Sequence, residues 1–353
     1  MSQLGLGLDI RERRFPALVK KLEKEDIIQV AAGALHNLAL TADGRVFSWG
    51  CNDDGAIGRT TADDVAEFTP ELVEGLDGVK IIQVACGASH SIAVSEDGHV
   101  YSWGAYRDVS GLVGFDKQQK VVRHAIKVEG FPAKDKVVKI AAGESHSLAL
   151  TASGKVYYWG DVYIGRRSSE RFKRDRLTPF IVPITTRIDR TRRTIAKTKE
   201  DIKITNVFAG GYTSFAVSES GLLWVWGPNN YTQCGIPRLD QEDQAITQPT
   251  VVAYFADKGI KIKAAASASQ FSIVLAEDGR VFAFGRVADG RLGQGKDYKY
   301  KDKDEQVEPL ELTTLTPEYL SSEASWNQES DTFAQEKHPL VTTQSDDCVV
   351  SIS

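Results

Sequence analysis

Apolar and polar positions alternate in short bursts along this chain, and the bursts recur. "ALHNLALTADGRVFSWG" ends at Gly50, "ASHSIAVSEDGHVYSWG" at Gly104 and "ESHSLALTASGKVYYWG" at Gly160. Two more divergent copies, "FAGGYTSFAVSESGLLWVWG" and "ASASQFSIVLAEDGRVFAFG", end at Gly227 and Gly285. Each holds two runs of β-branched, aliphatic and aromatic residues around a tight turn, the pattern of a β-hairpin. Glycine sits in that turn every time, at Gly44, Gly98, Gly154, Gly221 and Gly279, as positive φ in a two-residue hairpin loop requires. Two further strands are expected before each hairpin. One is the run "DIIQVAAG" and its echoes "KIIQVACG", "KVVKIAAG", "KITNVFAG" and "KIKAAASA". The other is short and Pro-led, beginning at Pro16, Pro70, Pro179 and Pro249, with "HAIKV" at His124 in its place once.

Four strands per unit of about 55 residues cannot bury both faces of a sheet alone, so neighbouring units must stack. Radial stacking of four-stranded sheets makes an all-β propeller. Residues 1–353 then form a single propeller domain with unit ends near 50, 104, 160, 227 and 285. No segment of the first 300 residues keeps a helical period, which argues against an α-solenoid. Trp49, Trp103, Trp159, Trp226 and Phe284 recur at one position and read as packing between units. His36, His90 and His146 recur likewise and read first as structural hydrogen-bonding groups.

Composition narrows the class. The chain has 353 residues, is 42% apolar and 26% charged, and carries a formal net charge of -5. No apolar run approaches the roughly 18 residues of a membrane helix, and "MSQLGLGLDI" lacks a signal-peptide pattern. Cys51, Cys86, Cys234 and Cys348 are scattered, which fits a reducing compartment and no disulfide or zinc framework. No phosphate loop or dinucleotide fingerprint is present, so no cofactor and no metal are expected. From Arg166 to Lys203 the chain has thirteen Lys/Arg against five Asp/Glu. Residues 161–203 read as a basic loop insertion, and residues 296–335 as a charged, partly disordered one.

These motifs resemble the regulator of chromosome condensation repeat, whose members form seven-bladed β-propellers. "SQLGLGLDIRERRFPALV", "SWGCNDDGAIGR", "SWGAYRDVSGLVG", "GPNNYTQCGIP" and "GRVADGRLGQG" follow the loop order of the family's exchange factor for the small GTPase Ran. Six of the seven expected units are legible, the sixth ending at "DDCVVSIS" without its hairpin. The resemblance implies guanine nucleotide exchange on a Ran-type GTPase by a monomer, in the nucleus on chromatin, with the cytoplasm as a further location and no membrane partner. It implies a wedge at Tyr106, Arg107, Asp108, Val109, Ser110, Gly111, Leu112 and Val113, with Arg107 and Asp108 as its charged tip. Implied GTPase contacts are His36, His90, Glu144, His146, Arg166 and Gln270. The second G-x-x-H turn, Gly87-Ala88-Ser89-His90, lacks an acid the family carries there. Arg171, Lys173 and Arg174 in the basic loop are the implied contacts to nucleosomal histones or DNA. The same repeat also builds non-catalytic scaffolds, which stays open as an alternative.

Overall fold

A computed structural model describes residues 3–7, 10, 12–13, 15–108, 111–116, 118–161, 175–184, 202–238, 244–294, 298–300 and 304–313. Five four-stranded antiparallel sheets follow one another along the chain. The first contains Ile27–Ala32, His36–Thr41, Val46–Gly50 and Glu71–Leu72; the second Ile81–Cys86, His90–Ser95, Val100–Gly104 and Val122–Lys127. The third contains Val137–Ala142, His146–Thr151, Val156–Gly160 and Phe180–Ile181. The fourth contains Ile204–Ala209, Ser214–Ser218, Leu223–Pro228 and Ala245–Val251; the fifth Ile262–Ser267, Phe271–Ala276, Val281–Arg286 and Glu305–Glu311. Strand order within each sheet is sequence order, and the first strands of successive sheets lie against one another. Those inner strands line a cavity of about 500 Å³, the central channel of a β-propeller.

The sheets are out of phase with the written repeat by one strand. The Pro-led segment expected to open each unit instead closes the preceding sheet: Leu72 pairs with Phe47, and Phe180 with Tyr158. The first such segment, Pro16–Val19, pairs with no described strand. The charged stretch 296–335 is also corrected in part. Its "EQVEPLE" is the outer strand of the fifth sheet, with Leu310 opposite Ala283, and Leu312 just beyond it is buried. Charged flanks had hidden a fifth Pro-led strand at Pro309. Most of residues 161–203 and residues 314–353, including the sixth unit, lie outside the described residues.

Blades adhere through three repeated devices. First, in the second to fifth sheets an aromatic at the end of the third strand packs on the preceding sheet. Trp103 joins Leu38, Leu40 and Val46; Trp226 joins Leu148 and Val156; Phe284 joins Phe215 and Val225. Burying such a ring is worth about 3 to 5 kcal/mol against alanine. Gly58 makes room for it: a Cβ there would lie 2.6 Å from Trp103. Second, every inner strand carries a register shift after its first residue. Just past it in the first two sheets stands a glutamine whose amide imitates a backbone unit. Gln29 donates to Val84 O and accepts from Val84 N, and Gln83 does the same with Ile140, at 2.9 and 3.0 Å. Third, His36, His90 and His146 hydrogen-bond across the seams to Ser91, Ser147 and Ser214 Oγ at 2.8, 3.0 and 3.0 Å.

Coverage is one-directional. Val84 and Ile140 are 1% and 2% exposed because the preceding blade covers them, while Val30, their counterpart in the first sheet, is 65% exposed. Among the described residues no helix is long and apolar enough to cross a membrane.

Candidate functional site

Chemistry-bearing residues gather on the propeller face where the G-x-x-H turns meet the loops that leave each third strand. Positive φ at Gly50 and Gly104, 118° and 94°, brings that exit against the turn. The loop's first amide then donates to the turn: Cys51 N to Leu35 O, Ala105 N to Ser89 O and Arg286 N to Gln270 O, at 2.8 to 2.9 Å. The turns are themselves linked around the ring by Ala88 N to Glu144 O at 2.8 Å and Glu144 N to Gly211 O at 2.7 Å.

A two-stranded hairpin, Tyr106–Asp108 with Gly111–Gly114, rises from the second blade on this face. Its tip residues Val109 and Ser110 lie outside the described residues. Arg107 is exposed on the stem, and its Nε and Nη2 each donate to a carboxylate oxygen of Asp54 at 2.7 Å. Those hydrogen bonds hold the Asp54 carboxyl below its ordinary range, helped by one from Ser89. Asp54 stands on a stiff loop. Asn52 Nδ2 closes that loop on Arg59 O at 3.0 Å, and Arg123 grips Asn52 O and Asp53 O at 2.7 and 3.0 Å. The hairpin stem is thus tied to the neighbouring blade. Asp108 and Gly111 are half-buried, while Leu112 is exposed.

Several residues expected at the surface are not there. Tyr106 is corrected from wedge to core: it is 1% exposed, its ring centroid is 4.4 Å from that of His90, and its hydroxyl meets Ser147 Oγ at 3.1 Å. His36, His90 and His146 are corrected too, being at most 1% exposed. Their hydrogen bonds run between blades, and burial lowers their pKa values to about 4, 3 and 3, so the rings are neutral at physiological pH. They hold the scaffold on which a partner would rest and offer that partner no polar atom.

Glu144 is half-buried in the third turn, and its side chain has no hydrogen-bond or ion-pair partner among the described residues. Gln270 is half-buried in the fifth turn, where its Oε1 accepts from Arg286 Nη1 at 2.7 Å and Arg291 Nη1 at 3.0 Å. Phe271 takes the structural histidine position there, opposite Gly285. Arg166, Arg171, Lys173 and Arg174 lie outside the described residues. Sequence reading missed Asp54 and Arg286. The signal for Asp54 was available in "NDDG", an acid placed one repeat before the arginine of "YRD".

The RCC1-like domain model matches residues 1–350. The Regulator of chromosome condensation of Xenopus laevis is 34% identical over 89% of this chain and 70% of its own length. Guanine nucleotide exchange factor SRM1 of Saccharomyces cerevisiae is 30% identical over 89% of this chain and 69% of its own. The crystal structure of Prp20p from the same yeast, described with its binding to Gsp1p and histones, superposes with a TM-score of 0.77. It is 29% identical and is matched over 89% of this chain and 72% of its own. This chain therefore spans about seven-tenths of each of these relatives.

Proposed function

The chain belongs to the RCC1-like domain family, and on that footing we propose that it is a guanine nucleotide exchange factor for a Ran-type small GTPase. The observation that carries the reading is a charged hairpin on the G-x-x-H face, braced by a bidentate ion pair to the preceding blade. The reading is supported by a relative named as an exchange factor and by a structural neighbour described as binding Gsp1p and histones.

Exchange needs no bond-making by this chain. It binds the GTPase more tightly once nucleotide has left, and by reciprocity the nucleotide loses the affinity the factor gains. A 10⁵-fold acceleration of release corresponds to about 7 kcal/mol of differential binding. The broad face supplies anchorage, and the hairpin carrying Arg107 and Asp108 competes for phosphate, lysine or magnesium contacts in the nucleotide site. Glu144, its carboxylate unpaired among the described residues, offers an acidic contact near the channel mouth. The basic segment, with Arg171, Lys173 and Arg174, would hold the factor on nucleosomes, in keeping with a nuclear location.

The test is release of a fluorescent guanine nucleotide from Ran, followed with and without the protein. Acceleration of several orders of magnitude is expected. Unaccelerated release alongside measurable binding of Ran would leave a non-catalytic scaffold instead.

A further inference from the structure

At the seam between the fourth and fifth blades an arginine again meets the preceding blade's loop, here with no described carboxylate paired to it. Asn52 and Asn229 hold the same place in their loops, each donating through Nδ2 to the carbonyl seven residues on, Arg59 O at 3.0 Å and Ile236 O at 2.8 Å. Two residues after each asparagine comes the side chain that reaches the next blade's arginine. In the first loop it is Asp54; in the fourth it is Tyr231. Arg286 therefore meets an aromatic face, with its guanidinium carbon 5.1 Å from the Tyr231 centroid. A cation over a ring keeps its full charge.

The arginine is held ready. Its amide and Nη1 are bound by Gln270 at 2.9 and 2.7 Å. Arg291, which shares the Gln270 oxygen, is paired with Asp289 at 2.5 Å. No described carboxylate pairs with Arg286, and its Nε and Nη2 donate to no described group. Backbone strain marks the same spot. Thr232 and Asp289, at φ 56° and 62°, are the two non-glycine residues of the described chain in the left-handed region. Thr232 stands where the first loop has Gly55, at a cost of about 1 to 2 kcal/mol for an L-residue. Such strain persists where the surrounding structure enforces it, and it concentrates at ligand-holding sites.

We propose that Arg286, seated on Tyr231 and pinned by Gln270, is a docking point for a carboxylate side chain on the surface of the GTPase partner. This rests on the exchange reading above. A single pre-set guanidinium fork matches a carboxylate in size and geometry. An extended polyanion such as DNA needs several adjacent unpaired cations, whereas the neighbouring Arg291 and Arg238 are already paired with Asp289 and Glu305.

Steady-state exchange on Ran carrying a fluorescent GDP analogue tests this with the full chain. Arg286→Glu should raise KM about tenfold while kcat moves far less, and Arg286→Lys should raise it by a smaller factor. Tyr231→Asp, which puts a carboxylate where Asp54 stands in the first loop, should neutralise Arg286 and raise KM in the same way; a matching thermal midpoint shows that the blade is intact. Wild-type exchange with an unchanged KM in Arg286→Glu and Tyr231→Asp overturns this proposal alone. Unchanged KM with weakened retention on DNA or nucleosomes also overturns it, assigning the arginine to a polyanion. Failure of the wild-type chain to accelerate release overturns both the exchange reading and this docking point.

Discussion

The Arg107 guanidinium and the Asp54 carboxylate meet through two parallel hydrogen bonds of 2.7 Å across the seam between the first and second blades. Their loops are 53 residues apart in sequence, so the pair exists only once the blades have stacked. It fixes the direction in which the hairpin leaves the propeller. Because Arg107 is about half exposed, the pair contributes little to stability, on the order of 1 kcal/mol or less. On the exchange function proposed above, its effect falls on the orientation of the stem. Asp54→Asn should slow nucleotide release about tenfold, as a misplaced group costs without any change in its chemistry, while the denaturation midpoint barely shifts. Stopped-flow exchange beside urea titration separates the two effects.

Ser147 Oγ serves two buried groups at once, His90 Nε2 at 3.0 Å and the Tyr106 hydroxyl at 3.1 Å. Removing it strands the His90 nitrogen in the seam between the second and third blades. Ser147→Ala should destabilise the protein by about 1 to 3 kcal/mol, the cost of one stranded buried polar group, since the Tyr106 hydroxyl also meets Ser102 and Trp159. Urea unfolding measures this directly, and a loss below about 0.5 kcal/mol would contradict the role assigned to the serine.

Gln83 carries both backbone hydrogen bonds of Ile140 across the inner ring. Gln83→Leu keeps the volume and abandons the N–H and the C=O, an expected loss of about 1 to 3 kcal/mol. Amide exchange at Ile140 should accelerate before that of the sheet interior.

Acid should weaken the stack. His36, His90 and His146 have folded-state pKa values near 4, 3 and 3, against 6.5 for the free side chain. Below about pH 6.5 the unfolded chain takes up protons that the folded chain refuses, so stability is full above that pH and falls as pH drops toward 4 and 3. Between pH 6 and 5 each group contributes a slope approaching about 1.4 kcal/mol per pH unit. Urea midpoints at pH 7.5 and 5 should differ accordingly, and a flat profile would contradict neutral buried rings.

Much of this was legible in the sequence because each blade makes the same contacts as the next. Repeated Trp49, Trp103, Trp159 and Trp226 gave away the seams, and Gly44, Gly98 and Gly154 the hairpins. Phase was not legible: text beginning at a proline and ending at W-G reads as one unit, yet hydrogen bonding assigns that proline strand to the sheet before. The partners of the histidines could have been found, since Ser91, Ser147 and Ser214 recur one residue past the histidine position. A repeating histidine followed by a repeating serine is a pairing between blades. Tyr106 was misread because it lies within a loop that departs from the repeat, while its ring fills space between blades. Asp54 and Arg286 escaped because their significance depends on which loop faces which, a property of stacking rather than of any local pattern.

The central claim is that the hairpin on the second blade drives release of nucleotide while the surrounding face supplies binding. Release of a fluorescent GDP analogue from Ran by wild type and by Arg107→Ala/Asp108→Ala, at saturating factor, tests it most directly. The account predicts rates at least about a hundredfold lower for the double variant, a loss of about 2.7 kcal/mol, with Ran still bound within a few-fold of wild-type affinity. Equal rates from the two proteins would contradict it.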